Sequence, residues 1–343
     1  MFRLSISFLF VMTAACTNKK ASAPTVDAPS KPVGEIILIN DELRSIVHPA
    51  AVLEVIADGF EWSEGPLWLP QEKKLIWSDV PRNKIFQWRK GEGMSVYLEP
   101  SGYTSTQPRG GEMGSNGLLL DPTGKLVLCQ HGDRRVARLE GSLDQPAANF
   151  FTLADTFGGK KFNSPNDAAY GHGGNLYFTD PPYGLERQAD DPLKELDFQG
   201  VYKVAPDGTV TLMTRSLSRP NGIAFNKEKT KCYVSNSDPE QAVWMVYDVD
   251  ENGDLVNERL FFDATSLVEE GNGLPDGLKV NGRGILFASG PGGLLIIDSE
   301  GRHLGTLHTG SPVSNCAFNE DESVLFMTSD AMIVKVDLVG NKS

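Results

Sequence analysis

Residues 116–131 read NGLLLDPTGKLVLCQH. A polar residue and a glycine open a short apolar strand. The turn DPTG follows, and a second strand rich in apolar residues ends on polar side chains. That order is the signature of a β-hairpin. The same pattern recurs as EGPLWLPQEKKLIWSD from Glu64, NDAAYGHGGNLYFTD from Asn166, NGIAFNKEKTKCYVSN from Asn221, DGLKVNGRGILFASG from Asp276 and NCAFNEDESVLFMTS from Asn315. The starts are 52, 50, 55, 55 and 39 residues apart. Further strand candidates fill the gaps, at 84–88, 136–139, 201–204 and 243–247. About four strands per unit at this period describe a propeller blade.

The predicted fold is therefore all-β, a six-bladed β-propeller. Few residues remain after Asn315, too few for four full strands. Residues 52–57 alternate as a strand does and are predicted to supply the missing outer strand, closing the ring and removing its open edges. The propeller is placed at 35–343, with a short arm, helical or irregular, at 35–50 outside the ring.

The 343-residue chain allows two domains by length alone, but the repeat reduces them to one. Residues 1–15, MFRLSISFLFVMTAA, read as a secretory signal peptide. Thr13-Ala14-Ala15-Cys16 resembles the lipobox of bacterial lipoproteins, with Cys16 as the lipidated residue. Residues 16–34 are rich in Ala, Pro, Ser and Lys and read as a flexible tether. The expected location is outside the cytoplasm, in the periplasm or anchored to a membrane through Cys16 alone. Net charge is −13, which repels nucleic acid and anionic lipid surfaces, so neither is an expected partner. Cys129, Cys232 and Cys316 lack zinc-ligand spacing and read as small buried hydrophobes.

In a meander blade the inner strands surround a central channel, so their first positions share one end of it. These positions are Glu64, Asn116, Asn166, Asn221, Asp276 and Asn315, all oxygen-bearing. Turn propensity accounts for any single Asn-Gly or Asp-Gly. It does not account for Glu64. Two carboxylates directed to one axis repel unless something offsets them, and a divalent cation balances both. An all-oxygen, amide-rich donor set suits calcium best. Zinc, which favours His and Cys, and magnesium are the alternative ions. The segments 99–115 and 181–199 are expected to cover this face, where loops carry function. His131 is expected to reach the same rim and bind substrate. Arg134 and Arg135 are expected to make structural ion pairs.

These residues also resemble a known family. SEGPLW around Glu64, SNGLLLDPTGKLVLCQHGDRRV around Asn116, FNSPNDAAYGHGGNLYFTDPPYGL around Asn166, RPNGIAF around Asn221 and LPDGLKV around Asp276 are similar to the gluconolactonase/senescence-marker-protein/luciferin-regenerating family of six-bladed propellers. The likeness covers about residues 50–337. It implies metal-dependent hydrolysis of a sugar lactone to its aldonic acid, with a small-molecule lactone as partner. The family's metal ligands fall on Glu64, Asn166, Asn221 and Asp276. Asp276 matches the acid/base position, and Asn116 and Asn166 match substrate-contacting ones, Asn116 in a motif not shared by all members. Gln130 stands where many relatives carry Glu. Two rival readings use the same face: a calcium-dependent organophosphate or other ester hydrolase, and a sugar-binding propeller without catalysis. A monomer is expected.

Overall fold

A computed structural model describes residues 31–340. The expected signal peptide, Cys16 and the tether up to residue 30 lie outside the described residues. Among the described residues six antiparallel sheets of four or five strands follow one another around an axis, as the repeat predicts, with a further two-stranded ribbon at Thr156–Phe157 and Lys160–Lys161. Blade 1 comprises Ser63–Leu69, Lys74–Asp79, Lys84–Arg89 and Gly93–Leu98, from the axis outward. The inner strands of blades 2 to 6 are Ser115–Leu120, Ala168–Tyr170, Pro220–Phe225, Leu278–Val280 and Val313–Phe318.

Four of the six inner hairpins share one turn chemistry. Asp121, Asn226, Asn281 and Asn319 end their inner strands with side-chain oxygens that accept backbone N–H groups of the turn. Asn226 Oδ1, for instance, accepts from Thr230 and Lys231, both at 2.9 Å. Asp121 Oδ1 takes Thr123 at 2.8 Å and Lys125 at 2.9 Å. Asn281 and Asn319 do the same for Ile285 and Val324. Short Asx side chains suit this local capping.

The second strands are buried on both faces, because each blade is sandwiched between two others. Ile76 packs with Leu118 and Leu128 between blades 1 and 2. Its neighbours Leu75 and Trp77 point the other way, against Phe326 and Ile333 of blade 6. The period-2 alternation of a strand thus feeds two interfaces. Six such apolar clusters, one per interface, occur among the described residues. Cys129, Cys232 and Cys316 are buried free thiols in three of them.

Closure follows the prediction. Glu54–Asp58 pairs antiparallel with Met332–Asp337 as the outer strand of blade 6. The arm differs from its expectation. Glu35–Leu38 is a strand that joins the outer edge of blade 5, pairing with His303–His308. A 3-10 turn at Asp41–Ser45 then packs Leu43 into the blade 5–6 cluster. Lys31–Pro32, placed in the tether by composition, pairs with Glu54 and Val55. The β-branched run at 36–37 and an available sheet edge override the irregular reading.

At the axis the inner strands crowd one another. The residue after the first ring position is glycine in four blades, and each has a reason. A Cβ on Gly65 would lie 2.0 Å from Asn116 O, on Gly222 2.4 Å from Asp276 O, and on Gly277 2.0 Å from Asn315 Cγ. On Gly117 it would lie 2.7 Å from Asp167 Oδ1. Gly65 also has φ +52°. Gly65→Ala is expected to lose about 2–4 kcal/mol from the combined clash and left-handed backbone. Gly110→Ala, with nothing within 4 Å of its Cβ, should stay within about 0.5 kcal/mol of the parent. Urea denaturation of both variants checks this; equal midpoints would contradict the crowding argument.

Candidate active site at the mouth of the channel

Five of the six predicted ring residues line one cavity of about 630 Å³: Glu64, Asn116, Asn166, Asn221 and Asp276. They come from five consecutive blades and are fixed by their neighbours rather than by their own strands. Buried hydroxyls at the ends of second strands grip the ring residues' carbonyls. Ser78 Oγ donates to Asn116 O at 3.0 Å, Ser235 Oγ to Asp276 O at 2.8 Å, and Thr179 Oγ1 to Asn221 O. Gly117 N donates to Asn166 O at 2.8 Å. Each grip crosses from one blade to the next, so the ring of oxygens is set by the closure of the propeller.

Side-chain partners divide the ring. Asn116 Oδ1, Asn221 Oδ1 and Asp276 Oδ1 are buried and have no hydrogen-bond partner among the described residues. For Asn221 the amide nitrogen is already used, donating to Ser237 Oγ at 3.2 Å. A buried polar atom left unpaired is costly, so three at one place call for a common partner. The sixth ring residue, Asn315, is differently employed. Its Nδ2 lies 3.4 Å from Glu64 Oε2, and its Oδ1 accepts from Cys316 N at 2.9 Å and Lys279 Nζ at 3.2 Å. It holds Glu64 and does not line the cavity.

The two carboxyls are electrostatically strained. Burial pushes Glu64 up to about 8, with repulsion from Asp167 adding to it and the Gly65 N–H, at 2.7 Å, opposing it. Asp276 is held well above the ordinary carboxyl range by burial, then by Glu64, Glu112 and Asp167. Asp276 as a whole is half-buried at the cavity floor, while its Oδ1 is shut away. This is the chemistry of a hard-cation site: orphaned amide oxygens and two carboxyls that lack a compensating charge. No group of three or more His, Cys, Asp and Glu side chains forms a metal cluster among the described residues, so any cation here depends on the amides.

The two long loops reach the expected face. Glu112 of 99–115 and Tyr183 and Gln188 of 181–199 line the cavity. Burial raises the Tyr183 phenol far above its ordinary value, as does Asp276. Tyr183 is therefore neutral and a hydrogen-bond donor. His131 is placed differently from its expectation. It is fully buried and does not line the cavity; its Nδ1 lies 3.5 Å from Glu112 Oε2. Arg134 binds the carbonyls of Phe162, Asn163 and Leu193, and Arg135 pairs with Gln130 and Asp133. Both are structural. Gln130 is too, bridging Arg135 and Ser101 O.

Several cavity residues escaped the sequence reading: Trp62, Glu112, Arg219, Ser237 and the stretch 271–274. One signal was available for the last. Residues 264–275 form a long entry to the inner strand of blade 5, as 99–115 does for blade 2. Arg219 immediately precedes the inner strand of blade 4 and had no distinguishing pattern.

Comparison with known proteins places this geometry. A family model described as SMP-30/Gluconolactonase/LRE-like region matches residues 62–331, which span the inner strands of all six blades. A gluconolactonase of Zymomonas mobilis is 37% identical over 332 residues, covering 95% of this chain and 92% of that protein. The pentonolactonase XacC of Haloferax volcanii is 26% identical over 261 residues, 74% of this chain and 76% of the relative. Among solved structures, a gluconolactonase of Xanthomonas campestris superposes with TM-score 0.78 at 29% identity, covering 91% of this chain and 98% of its own. The chain belongs to the SMP-30/gluconolactonase/LRE-like family.

Proposed function

We propose that the protein is a lactonase that hydrolyses a sugar lactone to its aldonic acid and depends on a divalent cation at the channel mouth. The observation that carries this is the convergence of Glu64 and Asp276 with the unpartnered oxygens of Asn116 and Asn221 in one cavity. Relatives that are a gluconolactonase and a pentonolactonase support the lactone as substrate. Glu64, Asn166, Asn221 and Asp276 would hold the cation, and calcium matches their oxygen-only chemistry best. When bound, it supplies Lewis-acid polarisation of the ester carbonyl and charge for the oxyanion.

The chain's own residues do the rest. Asn116 and Asn166 present amide groups to the lactone. Tyr183, kept neutral, donates a hydrogen bond into the cavity. Asp276 receives the proton of the attacking water at its carboxylate and returns it to the departing ring oxygen, directly or through a second water. The cavity, about 630 Å³, is large enough for a six-carbon lactone and water. The envelope location and lipidation of Cys16 belong to the same proposal and rest on the N-terminal sequence.

Asp276→Asn should lower kcat by at least a hundredfold on gluconolactone, followed as acid release above the spontaneous rate. A chelator should abolish the parent's activity and added calcium restore it. Activity that survives both would remove the cation from the reaction, and activity that survives Asp276→Asn alone would move the base elsewhere.

The raised carboxyls give a signed pH dependence. A carboxyl with a higher value in the folded chain binds its proton more tightly there. The cation-free protein therefore loses stability as pH rises from about 4.5, the ordinary value, through about 8. A cation must displace these protons, so its affinity rises with pH. Melting curves at pH 5.5 and 8.5 should show the larger calcium-induced gain in Tm at 8.5. An equal gain at both values would count against Glu64 and Asp276 as the ligands.

A further inference from the structure

The cavity carries a third carboxylate, Glu112, that the cation-binding set does not use. It belongs to loop 99–115 and is one-third exposed to the cavity, with 34% of its side chain accessible. Its place is fixed from behind. His131 N donates to Gly114 O and Gly132 N to Met113 O, both at 3.1 Å, so the backbone on either side of His131 grips the residues next to Glu112. The His131 ring lies against the carboxylate at 3.5 Å, and neither of its nitrogens has a hydrogen-bond partner among the described residues, although the residue is fully buried. Gly184 of the second long loop closes over this ring; a Cβ there would lie 2.5 Å from His131 Cβ. Arg109 ties the two loops together, donating to Gly132 O and to Gly184 O.

Both long loops are thus built around one imidazole whose exposed neighbour is a carboxylate facing the cavity. We infer that Glu112 is a specificity residue: its carboxylate accepts hydrogen bonds from hydroxyl groups of the sugar ring, and His131 is the positioning residue that holds it. This rests on the lactonase reading. A carboxylate is acceptor-only and presents two oxygens, which matches adjacent hydroxyls of a polyol and offers nothing to an unsubstituted aliphatic ring. Arg219, which lines the same cavity, adds a complementary donor in its guanidinium. A site that hydrogen-bonds its substrate's hydroxyls discriminates strongly against analogues that lack them.

The test uses the full-length protein with calcium, gluconolactone as substrate, and 1,5-anhydroglucitol, a ring polyol without a carbonyl, as a binding probe. Glu112→Gln should raise KM for gluconolactone roughly ten- to hundredfold with kcat within about threefold of the parent. It should weaken inhibition by anhydroglucitol to a similar degree. Glu112→Asp, the second variant, should fall between the two. His131→Asn should raise KM in the same direction by less, with the calcium-induced Tm gain unchanged in all three. A fall in kcat with KM unchanged would make Glu112 a base in the chemical step and overturn the inference. Loss of the calcium-induced Tm gain in Glu112→Gln would make it a cation ligand, also overturning it. Unchanged kinetics would do so as well. A parent protein without lactone hydrolysis would instead defeat the lactonase reading itself.

Discussion

The structure depends on how closely six inner strands can approach one axis. Where Gly65, Gly117, Gly222 and Gly277 stand, a single added carbon would run into a neighbouring strand's backbone or ring side chain. That proximity lets Gly117 N reach Asn166 O and Gly277 N reach Ser314 O. It also brings the Ser78, Thr179 and Ser235 hydroxyls onto carbonyls of the next blade. The side chains that face the cavity are therefore oriented by contacts that exist only when the ring is complete. A site assembled from five blades this way is preorganised without any one strand being rigid alone.

The same crowding explains what could be read in the sequence. Glycine after four of the six ring residues, Asx at four of the turns and Ser or Thr near the end of the second strand are local requirements, so they recur from blade to blade. The blade count, the closing strand and the convergence of Glu64 with Asp276 all follow from that recurrence. The N-terminal arm did not: its pairing with His303–His308 bridges some 270 positions, and no local pattern specifies a partner so distant. Asn315 illustrates a different limit. It occupies a ring position by period, yet Lys279 and Cys316 claim its oxygen and its amide turns to Glu64. Periodicity locates a side chain on a face but does not say which neighbour takes its lone pairs.

His131 and Glu112 show the limit from the other side. The end of the second strand of blade 2 points to the cavity rim, which is why His131 was expected there. The loops 99–115 and 181–199 then fold over the ring and bury it, and Glu112 takes the exposed position. Loop residues carry no period, so Glu112, Tyr183 and Arg219 acquire meaning only once the blades fix where the loops begin and end.

Charge around the axis sorts the acids by partner. Four carboxylates lie near the channel mouth: Glu64, Asp276, Asp167 and Glu112. Asp167 has Lys279 Nζ at 3.9 Å, and Glu112 has the His131 ring at 3.5 Å. Among the described residues neither Glu64 nor Asp276 forms an ion pair; Glu64 takes the N–H of Gly65 and the amide of Asn315, and Asp276 Oδ1 has no hydrogen-bond partner. The two acids without an ion-pair partner line one cavity with the unpartnered oxygens of Asn116 and Asn221. Burial pushes both of that pair's carboxyls upward, with repulsion from Asp167 and Glu112 adding to it at Glu64 and from Glu64, Glu112 and Asp167 at Asp276, so removing their protons leaves negative charge that a divalent cation would offset. Oxygen donors and a charge deficit thus coincide at one place, the two features that the proposed cation would need.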